Sequence, residues 1–330
     1  MVGNACFRNR PQNRYQGSGD ISIGRSRYIN DELSQSFLPQ IRSHYQLFAE
    51  LDPEHPTWQV LCEVGHFEDY LGSFDVIGSD PYPIGRPNQG AWGVADEMND
   101  TVVEVDHARP VWELLQAINW ELYNPTMCKP GSTRGNSGGS TCHTPNATEV
   151  RSMTWQAVAA GANGIFYWEF NDLFRNPDVG FNESFSYFNA TATEILRYAP
   201  MLLSASGRAP LPVTTVTAPW LLLRAHYWPD LAALSGSSSL LRSHRSTDLD
   251  SRVASRSGAR VFLLAVSDGR GGGKVTFEFN NATLCLATTQ IRVTALMPGQ
   301  GGAVSAAGCQ FTSTIPRLGV QAFDVSFVQL

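Results

Sequence analysis

The sequence lacks clusters of positive charge. Its 330 residues carry 24 lysines and arginines against 30 aspartates and glutamates, a formal net charge of -6 at pH 7, and the arginines are scattered along the chain. Nucleic acids and anionic membranes are bound by clustered positive charge. We therefore expect neither of them as a partner.

Long apolar runs are missing as well. No stretch approaches the roughly 18 apolar residues that a membrane helix needs, so no membrane insertion is expected. The opening segment MVGNACFRNRPQNRYQGSGD lacks the apolar core of a signal peptide. Residues 1–27 are polar and have no apolar period, which predicts an irregular tail. The chain as a whole is 42% hydrophobic and 16% charged, enough for a large core and two domains.

Cysteines are few, but their spacing is informative. The six are Cys6, Cys62, Cys128, Cys142, Cys285 and Cys309. Cys128 and Cys142 flank a stretch rich in glycine and serine, and a disulfide that closes a loop of about 15 residues contributes about 3 kcal/mol in the chain-entropy model. We predict two disulfides, Cys128–Cys142 and Cys285–Cys309.

Five asparagines lie in Asn-x-Ser/Thr triplets, the acceptor sequence for N-glycosylation. They are Asn99, Asn146, Asn182, Asn189 and Asn281. Together with the predicted disulfides they favour a secreted, extracellular or lysosomal glycoprotein over a cytosolic protein. Free buried cysteines and unmodified asparagines are the alternative.

Between residues 28 and 207, apolar runs of strand length alternate with amphipathic helical patterns. The strand-like runs are TWQVLCEV, FDVIGSDPYPI, RPVWELLQAINW and ANGIFYWEFNDL; helical patterns cover residues 37–51, ATEVRSMTWQAVAAG and TATEILRYAPMLLSA. This alternation predicts an α/β fold in which helices cover a parallel sheet, as in a β/α barrel or an open sheet. Polar residues follow the strand-like runs, where barrels place their chemistry.

The pattern changes after about residue 210. The segments ARVFLLAVSDGRGGGKVTFEFN and VQAFDVSFVQL alternate apolar and polar residues, which predicts a small antiparallel β domain. The glycines in GRGGGKV join two strands and do not open a helix, so they predict a hairpin turn and not a phosphate-binding loop. The predicted organisation is a tail at 1–27, an α/β domain at 28–207 and a β domain at 208–330.

The order of several motifs resembles the second half of a clan A glycoside hydrolase. YINDEL, FDVIGSDPYPI, RPVWELLQAINW and MTWQAVAAGANGIFYWEF are similar to the fourth to eighth strands of its barrel. The resemblance covers residues 28–200 and implies a partial TIM-type (β/α) barrel, followed by a C-terminal antiparallel β-sandwich. The first three barrel strands are not recognisable in residues 1–27, so we expect the chain to be a fragment or a truncated gene product.

The resemblance also implies a catalytic acid/base. In that superfamily an Asn-Glu pair at the end of the fourth strand supplies it, which corresponds here to Asp31 and Glu32, with Asp31 departing from the usual asparagine. Cleavage of a glycosidic bond passes through an oxocarbenium-like state, which a second carboxylate stabilises or attacks. The two carboxyl groups lie about 5 Å apart in retaining enzymes and about 6.5–9.5 Å apart in inverting ones.

The second carboxylate is less clear from the sequence. The superfamily's nucleophile is a glutamate at the end of the seventh strand, where this chain has Gln116; Glu113 lies too early and Glu121 slightly late. Glu169, at the end of the eighth strand, is the preferred candidate because it follows its strand directly. The predicted catalytic residues are therefore Glu32, Glu169 and Glu121.

Further residues at the strand ends are candidates for substrate binding. They are Asp31, Asp80, Tyr82, Gln116, Asn119, Trp120 and Trp168. Simpler interpretations exist: Glu32 as the first-turn acid of a helix, Asp80 and Tyr82 as turn formers between prolines, and Trp120 and Trp168 as core aromatics.

The expected function is that of a glycoside hydrolase that acts on a carbohydrate substrate without a cofactor. No metal is expected, because His55 and His66 show no metal-ligand spacing. The alternative is a non-catalytic, secreted glycan-binding or structural glycoprotein on a degenerate barrel. In either case we expect Glu32 to face a cleft that it shares with Tyr82, Trp168 and one further carboxylate.

Overall fold

The computed structural model describes residues 26–62, 65–86, 89–126, 128, 142–176, 178–202, 213–215, 218–227, 260–279, 285, 288–297 and 304–329. The chain divides into two compact units. The first, Met1–Pro145 with Ala160–Phe181, is called the parallel unit, and the second, Asn146–Ala159 with Asn182–Leu330, the antiparallel unit. The predicted tail at 1–27 and the predicted junction at 207/208 fall mostly outside the described residues, so the domain boundaries stay predictions.

In the residues that the structure describes, the parallel unit contains five strands and two α-helices. They are β1 (Arg27–Asp31), α1 (Leu38–Leu51), β2 (Thr57–Leu61), β3 (Val76–Ser79), α2 (Trp92–Glu104), β4 (Trp112–Gln116) and β5 (Gly164–Trp168). β1, β2 and β3 form one parallel sheet in that order, and β4 pairs with β5 in parallel. A parallel bridge between Ile77 and Val111 connects β3 to the start of β4. The carboxyl ends of all five strands therefore point in one direction.

The two helices of the parallel unit differ in how well the sequence predicts them. Pro39 lies in the first turn of α1, where a missing backbone N–H costs nothing. Ile41 is the one residue of α1 that is buried, while Leu51 is 74% exposed. α2 was not predicted from the sequence, although Val94, Met98 and Val102 recur at four-residue spacing and are all buried.

Among its described segments, the antiparallel unit contains α3, α4 and eight strands. They are α3 (Ala147–Ala160), α4 (Phe181–Leu202), β6 (Val213–Thr215), β7 (Leu221–Tyr227), β8 (Arg260–Ser267), β9 (Gly273–Phe279), β10 (Thr289–Ala295), β11 (Ser305–Ala307), β12 (Gln310–Ile315) and β13 (Val320–Gln329). The strands form two sheets, β10-β13-β8-β7 and β11-β12-β9-β6. Both sheets contribute phenylalanines to one core, in which Phe277 stacks on Phe311 at 4.5 Å between ring centroids. No helix in the described segments is long and apolar enough to cross a membrane.

The prediction of a hairpin at the GRGGGKV segment is wrong. β8 pairs with β7 and β13, whereas β9 pairs with β6 and β12, so the segment connects strands of different sheets. A Cβ atom on Gly272 would lie 2.4 Å from the backbone nitrogen of Arg317. Glycine is therefore required here by the close approach of another backbone segment.

The structure confirms both predicted disulfides. Cys128 is bonded to Cys142 with a Cα–Cα distance of 5.2 Å, and Cys285 to Cys309 with a distance of 5.9 Å. Cys62 is disulfide-bonded as well. The Cys128–Cys142 bond packs in a buried cluster with Tyr82 and Trp120, which follow β3 and β4.

Candidate functional site

The candidate site lies at the carboxyl ends of the parallel strands. Glu32 directly follows β1, Asp80 directly follows β3 and Glu169 directly follows β5. The ends of β4 and β5 are held together by a 2.7 Å hydrogen bond from the Ala117 N–H to the carbonyl oxygen of Trp168. Sequence-predicted residues from several strands thus follow the same edge of the parallel unit, which is called the carboxyl edge below.

Glu32 and Asp80 form a carboxyl pair at this edge, in which the charge of Glu32 acts on Asp80. The backbone N–H of Glu32 donates to the carbonyl oxygen of Val60 at 2.9 Å, and its φ angle of 47° lies in the left-handed region, which is uncommon for residues other than glycine. Asp80 is 8% exposed, and its Oδ1 atom has no hydrogen-bond partner among the described residues. Burial, and then the negative charge of Glu32, raise the pKa of Asp80 well above its ordinary value.

Further charged residues surround this pair. Glu97 on α2 and the exposed Asp31 add negative charge, which also raises the pKa of Asp80. Tyr28 on β1 interacts electrostatically with Asp31, Asp80 and Glu32. Neither Glu97 nor Tyr28 was predicted from the sequence, because an acid on a helix and a tyrosine within a strand carry no local signal of a site.

An aromatic cluster lies beside the carboxyl pair. Tyr82 stacks on Trp168 at 5.6 Å with an interplanar angle of 18°, and Trp120 donates its indole N–H to the carbonyl oxygen of Tyr82 at 2.9 Å. Tyr82 and Trp120 are each 4% exposed, whereas Trp168 is partly buried. Burial, and then Asp80, raise the pKa of Tyr82. Of the three rings, Trp168 therefore has the most surface left for a ligand.

Arg86 is a third residue of the site that was not predicted from the sequence. Its guanidinium carbon lies 4.5 Å from the centroid of the Trp120 ring, a cation–π geometry. Burial lowers the pKa of Arg86, while Glu97 and then Asp80 act in the opposite direction. This arginine places positive charge among the carboxyl groups of the carboxyl edge.

Gln116 and Asn119, two residues predicted to bind substrate, have side-chain amides that form hydrogen bonds within the protein. Gln116 is fully buried; its Nε2 atom donates to the carbonyl oxygens of Ile84 at 2.8 Å and Ile118 at 3.0 Å, and its Oε1 atom accepts the N–H of Ile84 at 2.7 Å. Asn119 accepts the N–H of Glu121 at 2.9 Å and donates to Asp178 at 3.3 Å. Both amides fix loops at the carboxyl edge, and substrate binding by either one stays a prediction.

The two candidates for the second carboxylate differ in exposure. Glu169 is partly buried and immediately precedes the short 3-10 helix Phe170–Phe174, and its peptide bond with Trp168 is cis. Glu121 is exposed in the short 3-10 helix Trp120–Leu122. The direct connection of Glu169 to the end of β5 and its partial burial favour it as a positioned group.

Glu113, on β4, is a buried acid outside the predicted set. It is fully buried, accepts a hydrogen bond from the Ser79 hydroxyl at 2.6 Å, and its Oε1 atom has no partner in the part of the chain that the structure describes. Burial, and then Glu97, raise its pKa well above the ordinary value. Within the described ranges, no three or more His, Cys, Asp or Glu side chains are grouped to hold a metal ion.

Solved structures that are similar to this chain include several glycoside hydrolases. They include a GH30 endoxylanase from Clostridium papyrosolvens (9% identity, 87% of this chain and 60% of that one, TM-score 0.39), a glycoside hydrolase family 5 protein from Bacteroides vulgatus (13%, 86% and 57%, 0.40) and the maltogenic alpha-amylase AmyB from Thermotoga neapolitana (11%, 91% and 61%, 0.41). The chain thus spans less than two thirds of the length of these structures. No family model and no curated protein matches the chain.

Proposed function

We propose that the protein is a glycoside hydrolase of the clan A type that acts on glycans or oligosaccharides by carboxylate acid/base catalysis. The observation that carries this proposal is the carboxyl pair Glu32–Asp80 beside the stacked rings of Tyr82 and Trp168, at the carboxyl ends of parallel strands. Active sites of β/α barrels lie at this end of their strands. In this proposal β1–β5 are the fourth to eighth strands of a TIM-type barrel, and the two antiparallel sheets are a C-terminal β-sandwich.

The proposed chemistry needs one carboxylic acid and one carboxylate. The acid protonates the leaving glycosidic oxygen, while the carboxylate stabilises or attacks the anomeric carbon of the sugar. Glu32 and Glu169 are assigned to these two tasks because each directly follows a strand. The face of Trp168 would stack against a sugar ring. Acid/base hydrolysis of this kind uses protein groups alone.

We place the protein in an oxidising compartment, either outside the cell or in the lysosome. Disulfides persist in such compartments and are rare in the cytosol. The Cys128–Cys142 and Cys285–Cys309 disulfides support this placement. Four of the five acceptor asparagines have exposed side chains, as N-glycosylation requires: Asn99, Asn146, Asn182 and Asn189. Asn281 lies outside the described residues.

Gln116 favours one alternative, a glycan-binding protein that does not cleave its ligand. The resemblance places the nucleophile at this position, and the Gln116 amide is instead bonded to the backbone of Ile84 and Ile118. A barrel that lost its nucleophile in this way would keep the aromatic surface and bind sugars. That the chain is a fragment of a longer barrel stays a prediction.

The test is paired substitution of Glu32 and Glu169. We expect Glu32→Gln and Glu169→Gln each to lower hydrolysis of aryl glycosides by about 100-fold or more, the typical contribution of a positioned acid or base. Glu54→Gln is the matched control, because Glu54 is exposed in the turn before β2, at the opposite end of the strands.

The outcomes separate the two functions. A Glu32→Gln protein that hydrolyses as fast as the parent would contradict the assignment of Glu32. A parent protein that binds oligosaccharides, measured by calorimetry, but hydrolyses none of a panel of glycosides would establish the binding function instead.

A further inference from the structure

The guanidinium group of Arg86 is held by an aromatic ring and not by an acid. Its carbon lies 4.5 Å from the centroid of the Trp120 ring, and no oxygen of the described residues accepts a hydrogen bond from its N–H groups. A guanidinium group has five N–H donors in a planar fork that matches a carboxylate or a sulfate. The side chain is only partly buried, so a ligand can reach these donors.

The loop that carries Arg86 is fixed before any ligand binds. The side-chain amide of Gln116 accepts the N–H of Ile84 at 2.7 Å and donates to its carbonyl oxygen at 2.8 Å. The indole N–H of Trp120, the ring that holds Arg86, donates to the carbonyl oxygen of Tyr82 in the same loop at 2.9 Å. Arg86 and the ring beneath it therefore share their supports, and little conformational entropy remains to be lost when a ligand binds.

Arg151 shows how an arginine with a structural role differs from Arg86. Its Nε and Nη2 atoms donate to the two carboxylate oxygens of Glu194 at 2.7 and 2.8 Å. Burial lowers the pKa of Arg86, and the charges of Glu97 and then Asp80 raise it, but neither acid forms such a bond with the guanidinium group. A partly buried arginine without a carboxylate partner in the protein is suited to an anion that a ligand supplies.

Arg86 lies at the same carboxyl edge as the sugar-stacking surface proposed for Trp168. The ring of Tyr82 stacks on Trp168 at 5.6 Å, and the ring of Trp120 lies 6.4 Å from Tyr82 on its other side of contact. A row of aromatic rings thus connects Trp168 to the guanidinium group. The anion that Arg86 binds would therefore belong to the sugar at Trp168 or to a neighbouring unit of the same glycan.

We propose that the substrate is an acidic glycan and that Arg86 is the specificity-determining residue that binds its carboxylate or sulfate group. This inference rests on the proposed function and names the substrate class for the same site. Hydrogen bonds between ionised groups are roughly twice as strong as those between neutral groups, so an acidic sugar gains more from Arg86 than a neutral one. The acids of the carboxyl edge repel any anion that Arg86 does not bind, so the preference should depend on this one side chain.

The test compares acidic oligosaccharides with neutral forms of the same chains. Oligosaccharides that contain glucuronic, galacturonic or mannuronic acid are used before and after reduction of their carboxyl groups to alcohols, and sulfated oligosaccharides before and after desulfation. Calorimetry on the intact protein measures binding without requiring hydrolysis. We expect at least one acidic oligosaccharide to bind about 10- to 100-fold more tightly than its neutral form. The arm that shows this preference identifies the anion as a carboxylate or a sulfate.

Variants of Arg86 then test the assignment to this residue. Arg86→Gln should remove the preference for the acidic form and leave binding of the neutral form unchanged, whereas Arg86→Lys keeps the charge but not the planar fork and should retain part of the preference. A purely structural role above Trp120 would weaken binding of both forms by the same factor. Arg109→Gln is the control, because Arg109 is also partly buried but precedes β4, at the opposite end of the strands.

The outcomes separate this inference from the proposed function. A parent protein that binds acidic and neutral forms equally, or binds neither, overturns the inference whether or not any variant folds, and so does a preference that Arg86→Gln retains. If the preference depends on Arg86 but no glycoside is cleaved, hydrolysis fails and the anion site stands as part of a glycan-binding protein. If glycosides are cleaved but acidic chains are cleaved no faster than their neutral forms, hydrolysis stands and the inference is wrong.

Discussion

Asp268 in the antiparallel unit and Glu113 in the parallel unit are both buried carboxyl groups, but their partners differ. In the antiparallel unit, Asp268 has a side chain that is 1% exposed; Oδ1 accepts the backbone N–H of Arg270 at 2.7 Å, and Oδ2 accepts its guanidinium Nε–H at 2.5 Å. In the parallel unit, Glu113 has the Ser79 hydroxyl on one oxygen, and its other oxygen has no partner in the described ranges. A buried acid whose two oxygens both accept hydrogen bonds stabilises the fold. Burial instead raises the pKa of an acid that lacks a donor on one oxygen. Asp80, beside Glu32 in the parallel unit, is like Glu113 in this respect.

Truncation of a side chain in the core of the antiparallel unit should give the largest loss of stability. Phe277→Ala removes a fully buried ring that packs on Phe311, and we expect the free energy of unfolding of the antiparallel unit to fall by about 3–5 kcal/mol. Leu196→Ala is the control, since Leu196 is 71% exposed on α4 and should cost no more than about 0.5 kcal/mol. Guanidinium denaturation measures both. Equal losses of unfolding free energy in the two variants would contradict the assignment of Phe277 to the core.

The disulfides allow a second comparison between units. Replacing Cys128 and Cys142 together by serine opens a loop with a sequence separation of 14, and we expect a loss of about 3 kcal/mol from the parallel unit. The Cys285–Cys309 loop has a separation of 24, so the same change there should cost about 0.5 kcal/mol more. Thermal unfolding of both double variants under oxidising conditions checks the order. A more stable Cys285/Cys309 variant would argue against the entropic account.

The paired acid should be sensitive to loss of its charge. Asp268→Asn keeps the shape of the side chain but weakens its bonds to Arg270, and hydrogen bonds to charged groups contribute about 1.5–3 kcal/mol. Because the Arg270 side chain is 48% exposed, we expect the loss to lie at the lower end of that range. Urea denaturation near neutral pH measures it. An unchanged midpoint would show that the Asp268–Arg270 pair adds nothing.

Substitution of Glu113 should change the free energy of unfolding least at acidic pH, and its effect should depend on pH. The folded protein holds the Glu113 proton above the ordinary pKa of 4.5, whereas the unfolded chain releases it. The free energy of unfolding should therefore fall as pH rises above that value, by up to about 1.4 kcal/mol per pH unit for this group. Glu113→Gln should remove this slope and differ little from the parent at pH values below it. Glu54→Gln should keep the parental slope, and a Glu113→Gln protein that keeps it too would contradict the assignment.

Strand positions could be predicted from the sequence because parallel, buried strands are short, nearly continuous apolar runs. TWQVLCEV and ANGIFYWEFNDL contain β2 and β5 for this reason. The hairpin prediction failed because alternation identifies a strand but not the sheet that it joins. α4 begins at Phe181, ten residues before the predicted helical segment, since its first turns are rich in asparagine, serine and aromatic residues.

The site could be predicted only as far as the strand ends. Parallel strands bring Glu32, Asp80 and Glu169 to one edge whatever the side-chain details, so their common location follows from the pattern. The Glu32–Asp80 pair does not follow from it, because β2 lies between β1 and β3 in the sheet. Arg86 and Glu97 belong to a loop and to an unpredicted helix, and their roles arise only from burial and tertiary packing.

The amide of Gln116 limits which substitutions the site can accept. It bonds both the N–H and the C=O of Ile84, so a glutamate there would lose two donated hydrogen bonds and, if ionised, would place a negative charge in a fully buried position. Gln116→Glu would therefore destabilise the loop that carries Tyr82 and Arg86. The amide is entrenched, because a carboxyl group at this position would require Ile84 and its neighbours to change first.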